Sequence, residues 1–305
     1  MVSTSSNSAS LRPLAFSANP LVRPVTEAHD EAWVQARLDD PAARFLPLRR
    51  LEALVDGDDP PQLGWRGVEV LNHLADGAFA VFLGTLDGVP HFAVAVDTLE
   101  PPEGARFVDA RTLATLLPAA DVGILGHARS LVDWHARHRF CAQCGAATVH
   151  IEGGARRRCT RCDARHYPRV DPSVIMLVEH NDRILLARRA TAPGNRRSCL
   201  AGFLEPGESI EEAVIREVFE EAGVTVTDVR YVTSQPWPFP SQLMIGCRAT
   251  ALDDRVTVDG IEIGSAEWFD RAEVRAAIEG RSAVLDIPGP IAIAHHLIRT
   301  WAYEQ

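Results

Sequence analysis

"GFLEPGESIEEAVIREVFEEAGV" (Gly202–Val224) is the stretch on which the fold turns. Ser209 followed by Glu212 is a capping-box pattern that starts a helix, and Gly223 is placed to end it after Ala222. Ile210, Ala213, Val214 and Val218 give that helix a buried side. Glu217 and Glu221 are four residues apart and Glu220 is three from Glu217, so these carboxylates converge on one face. Acids this close repel one another unless a cation neutralises them. Hard oxygen donors suit Mg²⁺ or Mn²⁺, ions that also bind phosphate oxygens. Arg216 and Glu208 stand two turns apart, where a pair between them would anchor the preceding loop. A solvated acidic face is the plainer alternative for any Glu-rich helix.

Around this helix the pattern is mixed. "SVIMLVEHNDRILLARR" reads as a hairpin turning at Asn181-Asp182, and "SCLAGF" as a short buried strand. Strand-like runs follow at Val224–Thr233, Leu243–Ala251 and Ala266–Phe269, with helices expected at Arg271–Glu279 and Pro290–Tyr303. Strands with two or three helices suggest a sheet packed between helices. "SQPWPFP" (Ser234–Pro240) carries three prolines and two large aromatics. Proline fixes φ and lacks a donor, so this stretch is expected as a rigid loop, not an inner strand or helix.

Upstream, Cys141-x2-Cys144 and Cys159-x2-Cys162 enclose 14 residues. Two thiolate pairs of this spacing supply a closed tetrahedral sulfur site, the structural-zinc arrangement, although iron fits the same cage. Cys199 and Cys247 stand in apolar surroundings and read as core. Arg156, Arg157, Arg158, Arg161 and Arg165 crowd the second half of this module. They read as a solvated charged rim or, more sharply, as a platform for a polyanion.

In the first half, Asp87-Gly88 marks a hairpin within Ala78–Asp97. From Asp121, Ile124, Leu125, Ala128, Leu131 and Val132 share one helical face. The chain of 305 residues has room for two domains and a small module. A net charge of −10 argues against general nucleic-acid binding without excluding a local basic patch. No apolar run reaches the length of a membrane span. The Ser-rich start lacks the basic and apolar regions of a signal peptide and reads as a flexible tail, so a cytoplasmic protein is expected.

The full spacing Gly202-x5-Glu208-x7-Arg216-Glu217-Val218-x-Glu220-Glu221-x-Gly223-Val224 resembles the box of the Nudix hydrolases at every defined position. With four cysteines before it and SQPWPFP after it, the chain resembles the NADH pyrophosphatase family of that superfamily over roughly residues 120–300, through "RHYPRVDP", "LAGFLEPGES" and "YVTSQPWPFP". The first hundred residues agree only in general layout. The resemblance implies an α+β chain: a Nudix α/β/α sandwich with a mixed sheet, preceded by a zinc ribbon and an N-terminal α+β domain. The expected division is a tail at 1–20, an N-terminal domain at 21–138, the ribbon at 139–168 and the Nudix domain at 169–305.

By the same resemblance, the expected reaction is hydrolysis of the pyrophosphate of NAD(H) to AMP and nicotinamide mononucleotide, with removal of NAD caps from RNA, in a homodimer whose active site is completed across the interface. Glu217, Glu220 and Glu221 carry over as divalent-metal ligands, with the Ala201 carbonyl and Glu262 beside them. Arg216 joins the glutamates in the catalytic set, and Glu221 is the residue most closely coupled to the attacking water. Phe203 matches the residue that stacks on the nicotinamide ring. Trp237 is expected as an aromatic wall for the nucleotide of a partner subunit. Tyr167, Gln235 and Ala294 match further substrate contacts. Plain core for Phe203 and a dimer anchor for Trp237 remain as alternatives. In one departure, the family serine two residues after the last proline is Gln242 here, with Ser241 one residue early. A Nudix enzyme for another diphosphate such as ADP-ribose, and a non-catalytic nucleotide sensor, are the rival readings.

Overall fold

The computed structural model describes residues 13–23 and 30–304. After a short helix, α1 (Glu31–Leu38), the first unit is a six-stranded sheet: β1 (Arg44–Arg49), β2 (Glu52–Asp56), β3 (Gln62–Leu63), β4 (Val81–Leu86), β5 (Val89–Ala95) and β6 (Ala105–Val108). Its order is β3-β2-β1-β5-β4, with β6 on β2 and β1 parallel to β5. The β4–β5 hairpin turns at Asp87-Gly88, both at positive φ as such a turn requires. Helices α2 (Ala110–Leu116) and α3 (Ala119–Arg137) cover one face, where Leu113, Leu125 and Ala128 join Leu46, Val55 and Leu83 in one core. The apolar positions expected on one side of α3 are all buried.

The second unit is a three-stranded antiparallel sheet, β7 (Thr148–Ile151), β8 (Arg156–Cys159) and β9 (Arg165–His166). It is docked tightly on the first unit. Gly154 has φ +91°, and a Cβ there would stand 2.9 Å from the Phe79 ring. Arg157 runs inward from β8: its Nε donates to Thr148 Oγ1 at 2.7 Å, and another guanidinium nitrogen lies 3.1 Å from His135 Nδ1.

The third unit contains β10 (Asp171–His180), β11 (Arg183–Arg189), β12 (Leu200–Phe203), α4 (Ile210–Ala222), β13 (Val226–Trp237), β14 (Gln242–Ala251), β15 (Ile263–Asp270), α5 (Arg271–Ile278) and α6 (Ile293–Tyr303). The sheet order is β13-β14-β10-β11-β15, β12 pairs with β10, and β10 runs parallel to β14. Side chains alternate along β10 as a two-sided strand demands. Val174, Met176 and Val178 meet Ala213, Val214 and Val218 of α4, while Ile175 and Leu177 meet Val274, Leu297 and Trp301 of α5 and α6. This is the expected sheet between helices.

Two expectations are corrected. Ser234–Trp237 is not loop: it continues β13 and pairs with β14 through Trp237↔Gln242. Because β13 is the outermost strand, Pro236 is tolerated at this edge. The tail at 1–20 is the second correction. Residues 1–12 lie outside the described residues, but 13–22 form a strap with Phe16 and Leu21 buried in the core of the first unit and Leu14 packed on that of the third. Apolar burial at Phe16 and Leu21 outweighs the polar composition of the serines around them. Among the described residues, no helix is long and apolar enough to cross a membrane.

Candidate active site

The capping box forms as expected: Glu212 N–H donates to Ser209 Oγ, and Ser209 N–H donates to Glu212 Oε2. Gly223 ends α4 in the left-handed region. Helix α4 thereby fixes its carboxylates beside β12, beneath a cavity of about 500 Å³. The approach is so close that a Cβ on Gly202 would fall 1.9 Å from the Glu217 carboxylate carbon. Any larger residue there must push the Glu217 carboxylate aside, which accounts physically for the first position of the box.

Arg216 organises the acids. It pairs with Glu208 through two bonds of 2.6 and 2.9 Å, reaches Glu217 at 2.9 Å and Glu220 at 3.0 Å, and donates to the Phe203 carbonyl at 2.9 Å. The anchor expected between Arg216 and Glu208 is therefore present, and the same guanidinium braces Glu217 and Glu220 of the three glutamates Glu217, Glu220 and Glu221. Glu221 is buried at 7% exposure, and its Oε2 has no hydrogen-bond partner among the described residues. Burial first, then the nearby charges of Glu217 and Glu262, push its carboxyl up to about 8. Burial likewise raises Glu217. An orphaned oxygen among mutually repelling carboxylates is the environment a divalent cation relieves, and the donor set is all oxygen, so these residues fit Mg²⁺ or Mn²⁺.

The cavity is lined by Ala201, Phe203, Arg216, Glu217, Glu220, Gln235, Trp237, Gln242, Glu262 and Ala294, so nearly all the residues singled out from the sequence meet in one place. Phe203 is half exposed at 51%, which removes the plain-core alternative. Ala201 makes a backbone hydrogen bond with the Glu221 carboxylate. Three placements depart from expectation. Tyr167 is not part of the cavity; it lies exposed on the ribbon side, with Arg156 5.0 Å from its ring. Gln235 is fully buried with its amide spent on backbone: it donates to the Ala15 and Ile291 carbonyls and accepts from Ile293 N–H. It holds the wall together and offers no free amide to a ligand. Trp237 lines the cavity of its own chain, at the end of β13 opposite Gln242 of β14, which lines the same cavity.

Sequence reasoning passed over Arg189, Ser173 and Ser198, which also line the cavity. Arg189, at the end of β11, makes no ion pair among the described residues and faces the acid cluster, where its charge draws the Glu221 carboxyl downward against the larger upward effects. Its position at the end of a hairpin strand was visible in "LLARR", but nothing local marked it as facing the acids.

The four cysteines meet as their spacing requires. Cys141, Cys144, Cys159 and Cys162 have all sulfurs within 4.8 Å of one another, and they are the one such group among the described residues. The Ala146 backbone first, then Arg161, draws the Cys144 thiol down to about 6. Arg161 and Cys162 N–H groups donate to Cys159 Sγ at 3.3 and 3.4 Å, bonds that favour thiolate. A closed four-thiolate cage is a structural zinc site.

A carboxylate helix laid against a mixed sheet beneath such a cavity defines the Nudix class. Comparison with known families agrees: a NUDIX domain matches residues 168–286, an NADH pyrophosphatase zinc ribbon matches 136–167, and an NADH pyrophosphatase-like rudimentary NUDIX domain matches 42–134. The chain is 42% identical over 245 residues to the human NAD-capped RNA hydrolase NUDT12, covering 76% of this chain and 52% of that protein. It is 41% identical over 235 residues to NAD-capped RNA hydrolase NudC of Mycobacterium bovis, covering 73% and 75%. An NAD-capped RNA hydrolase of Schizosaccharomyces pombe is 36% identical over 281 residues, covering 83% and 73%. The chain belongs to the zinc-ribbon NADH-pyrophosphatase family of Nudix proteins. It spans about half the length of the human relative it matches.

Proposed function

We propose that this chain hydrolyses the pyrophosphate bond of NAD(H), releasing AMP and nicotinamide mononucleotide, and acts likewise on the NAD cap of RNA. The observation that carries this reading is the buried, unpartnered Glu221 oxygen in a carboxylate cluster that opens on a cavity walled by Phe203 and Trp237. Acids suited to a phosphate-bound cation stand at one end, and two exposed or half-exposed aromatics suited to flat rings stand beside them. The names of the relatives support the same substrate.

In this reading Glu217, Glu220 and Glu221 would hold Mg²⁺ or Mn²⁺, with Glu262 and the Ala201 backbone beside them. When bound, the cation neutralises the diphosphate and acidifies water. Glu221 takes the proton of the water whose oxygen attacks one phosphorus, and the bond from that phosphorus to the bridging oxygen breaks. Arg216 holds Glu217 and Glu220 in register. Arg189 faces the same charge and balances the anionic substrate. Phe203 stacks on the nicotinamide ring, Trp237 walls the nucleotide, and Gln242 with the Ala294 backbone completes the contacts. No cysteine or serine here has the base partner of a covalent nucleophile.

We further propose a homodimer in which Tyr167, remote from the cavity of its own chain, reaches the cavity of the other. The working division is an N-terminal domain to residue 138, the ribbon over 139–168 and the Nudix domain from 169. A thiolate zinc site favours a reducing compartment, which supports a cytoplasmic location.

The test compares NADH, NAD⁺, ADP-ribose and a short NAD-capped RNA as substrates with Mg²⁺ or Mn²⁺, separating products by chromatography. AMP and reduced nicotinamide mononucleotide from NADH, at clearly higher kcat/KM than ADP-ribose, is the expected result. Preference for ADP-ribose would move the assignment to another diphosphate, and no cleavage by folded, zinc-loaded protein would favour a sensor. For the RNA, one observation carries an added reading: Arg158 and Arg165 are exposed and directly opposite across β8 and β9. With Asp163 3.6 Å from Arg158 as the one acid paired to either among the described residues, the pair keeps a positive charge that suits an anionic strand. Arg158→Ala with Arg165→Ala is expected to weaken capped-RNA cleavage and spare NADH. Equal effects on both substrates would remove that reading.

A further inference from the structure

Trp237 sits on an edge strand that pairs only with β14, so no strand lies outside it to fix its ring. What holds the ring comes from far away in sequence. Phe16, 3% exposed, meets Trp237 edge-on at 5.9 Å and Phe239 edge-on at 5.6 Å, and those two rings meet at 5.1 Å. Arg111 of α2 caps Phe239 at 3.7 Å and stands 6.0 Å from Trp237. Arg129 of α3 covers Phe239 at 4.6 Å and donates to the Pro238 carbonyl. Trp237 and Phe239 are accordingly packed on the core of the first unit, not that of the third.

The strap reaches a second wall of the same cavity. Ala15 accepts from the Gln235 amide at 3.1 Å, and the same amide group accepts from Ile293 N–H at 2.8 Å at the start of α6, where Ala292, Ile293 and Ala294 line the cavity. Gly123 makes this path possible: a Cβ there would lie 2.5 Å from the Ser17 carbonyl and 2.6 Å from Asn19 N.

We propose that Phe16, backed by Arg111 and Arg129, is a positioning clamp that sets the Trp237 wall of the cavity, so that the first unit tunes substrate binding at a site to which it contributes no catalytic residue. This rests on the NAD(H) reading above for its kinetic readout. An edge-to-face contact is worth a small factor in affinity, and a displaced wall loses binding more than chemistry, since the carboxylates are braced separately by Arg216.

The experiment uses the full-length, zinc-loaded protein with Mg²⁺ and NADH. It measures kcat and KM for wild type, Phe16→Ala, Arg111→Ala, Trp237→Ala and the Phe16→Ala/Trp237→Ala double variant. Each clamp variant is expected to raise KM roughly threefold to tenfold with kcat little changed. The double variant is expected to be no worse than Trp237→Ala alone, because one residue acts through the other. Multiplying penalties, or a fall in kcat with KM unmoved, would overturn the clamp. If Phe16→Ala does not fold, the exposed Arg111 carries the same cycle. In parallel, the Trp237 emission is isolated by subtracting the spectrum of Trp237→Phe in the wild-type and Arg111→Ala backgrounds. A shifted emission supports the clamp and an identical one overturns it. This arm needs no turnover, so a wild type that cleaves nothing would sink the functional reading and leave the clamp to be decided by fluorescence.

Discussion

The ribbon and the α4 cavity each gather four metal-seeking side chains, and they are built in opposite ways. In the ribbon, four sulfurs close to within 4.8 Å, braced by the Arg161 and Cys162 N–H groups at Cys159 and by the Ala146 backbone at Cys144, and no position is left for a reactant. In the cavity, Glu217, Glu220 and Glu262 line an opening of about 500 Å³, Arg216 bridges Glu217 and Glu220, and Glu221 is buried next to them with an unpartnered oxygen. The closed cluster stabilises a fold; the open one stores repulsion that a cation and a phosphate can relieve. Closure, more than ligand count, separates a cluster that can only bind its metal from one left open to a reactant.

The strongest way to break this comparison is to alter one group in each cluster. Glu221→Gln is expected to lower kcat by about 10²–10⁴ while leaving zinc content and the melting midpoint unharmed, because glutamine has the shape of a carboxyl that burial already pushes up to about 8. A large loss of stability would mean that Glu221 is structural. Cys159→Ser is expected to do the reverse, losing zinc by metal analysis and unfolding the ribbon. Retained zinc in that variant would show the cage to be less closed than its geometry implies.

Gly202→Ala tests the open cluster more finely. The added Cβ must displace the Glu217 carboxylate, and a shift of about 1 Å costs roughly 10²-fold in turnover, with circular dichroism unchanged. Near wild-type turnover would place Glu217 outside the catalytic set. Next, the ribbon arginines should divide. Arg157→Ala takes the guanidinium partner from the Thr148 carbonyl and from His135 Nδ1 and is expected to cost about 1–3 kcal/mol by denaturant titration. Arg158→Ala and Arg165→Ala, both exposed, should leave stability within about 0.5 kcal/mol. The polyanion platform suggested by five clustered arginines therefore cannot include Arg157, which is buried at 6% exposure.

The smallest effect is with pH. Burial first depresses His135 to about 3 and His127 to about 4, below the ordinary histidine range near 6.5. His135 faces Arg157, His138 and His150, whose charges oppose a further proton. As pH falls below about 6.5, the unfolded chain takes up protons that these native imidazoles refuse, so stability falls. That slope continues to the folded values near 4 and 3. Melting curves of the wild type and His127→Gln between pH 7 and 5 check this. The variant should show the shallower slope, and parallel slopes would remove His127 from the account.

By itself the sequence determined whatever depends on neighbours within a turn or two. The capping box and Gly223 set the bounds of α4, the repeated Cys-x2-Cys set the cage, and Asn181-Asp182 and Asp87-Gly88 set two hairpins, because each rests on backbone geometry local to those residues. The placing of Glu217 and Glu220 on one face of α4, both within reach of Arg216, was legible for the same reason. The tertiary structure alone decided what joins distant segments. Phe16 lies in a stretch without periodicity, and its partners Trp237 and Phe239 are more than two hundred residues away. Arg157 and Arg158 are neighbours in sequence yet on opposite sides of β8, one buried and one exposed, since a strand alternates its faces and only packing chooses which is inside. Gln235 read as a ligand contact and is consumed by three backbone groups from the strap and the start of α6. Local spacing fixes which groups can act together; the packing of remote apolar surfaces fixes which of them still face the cavity.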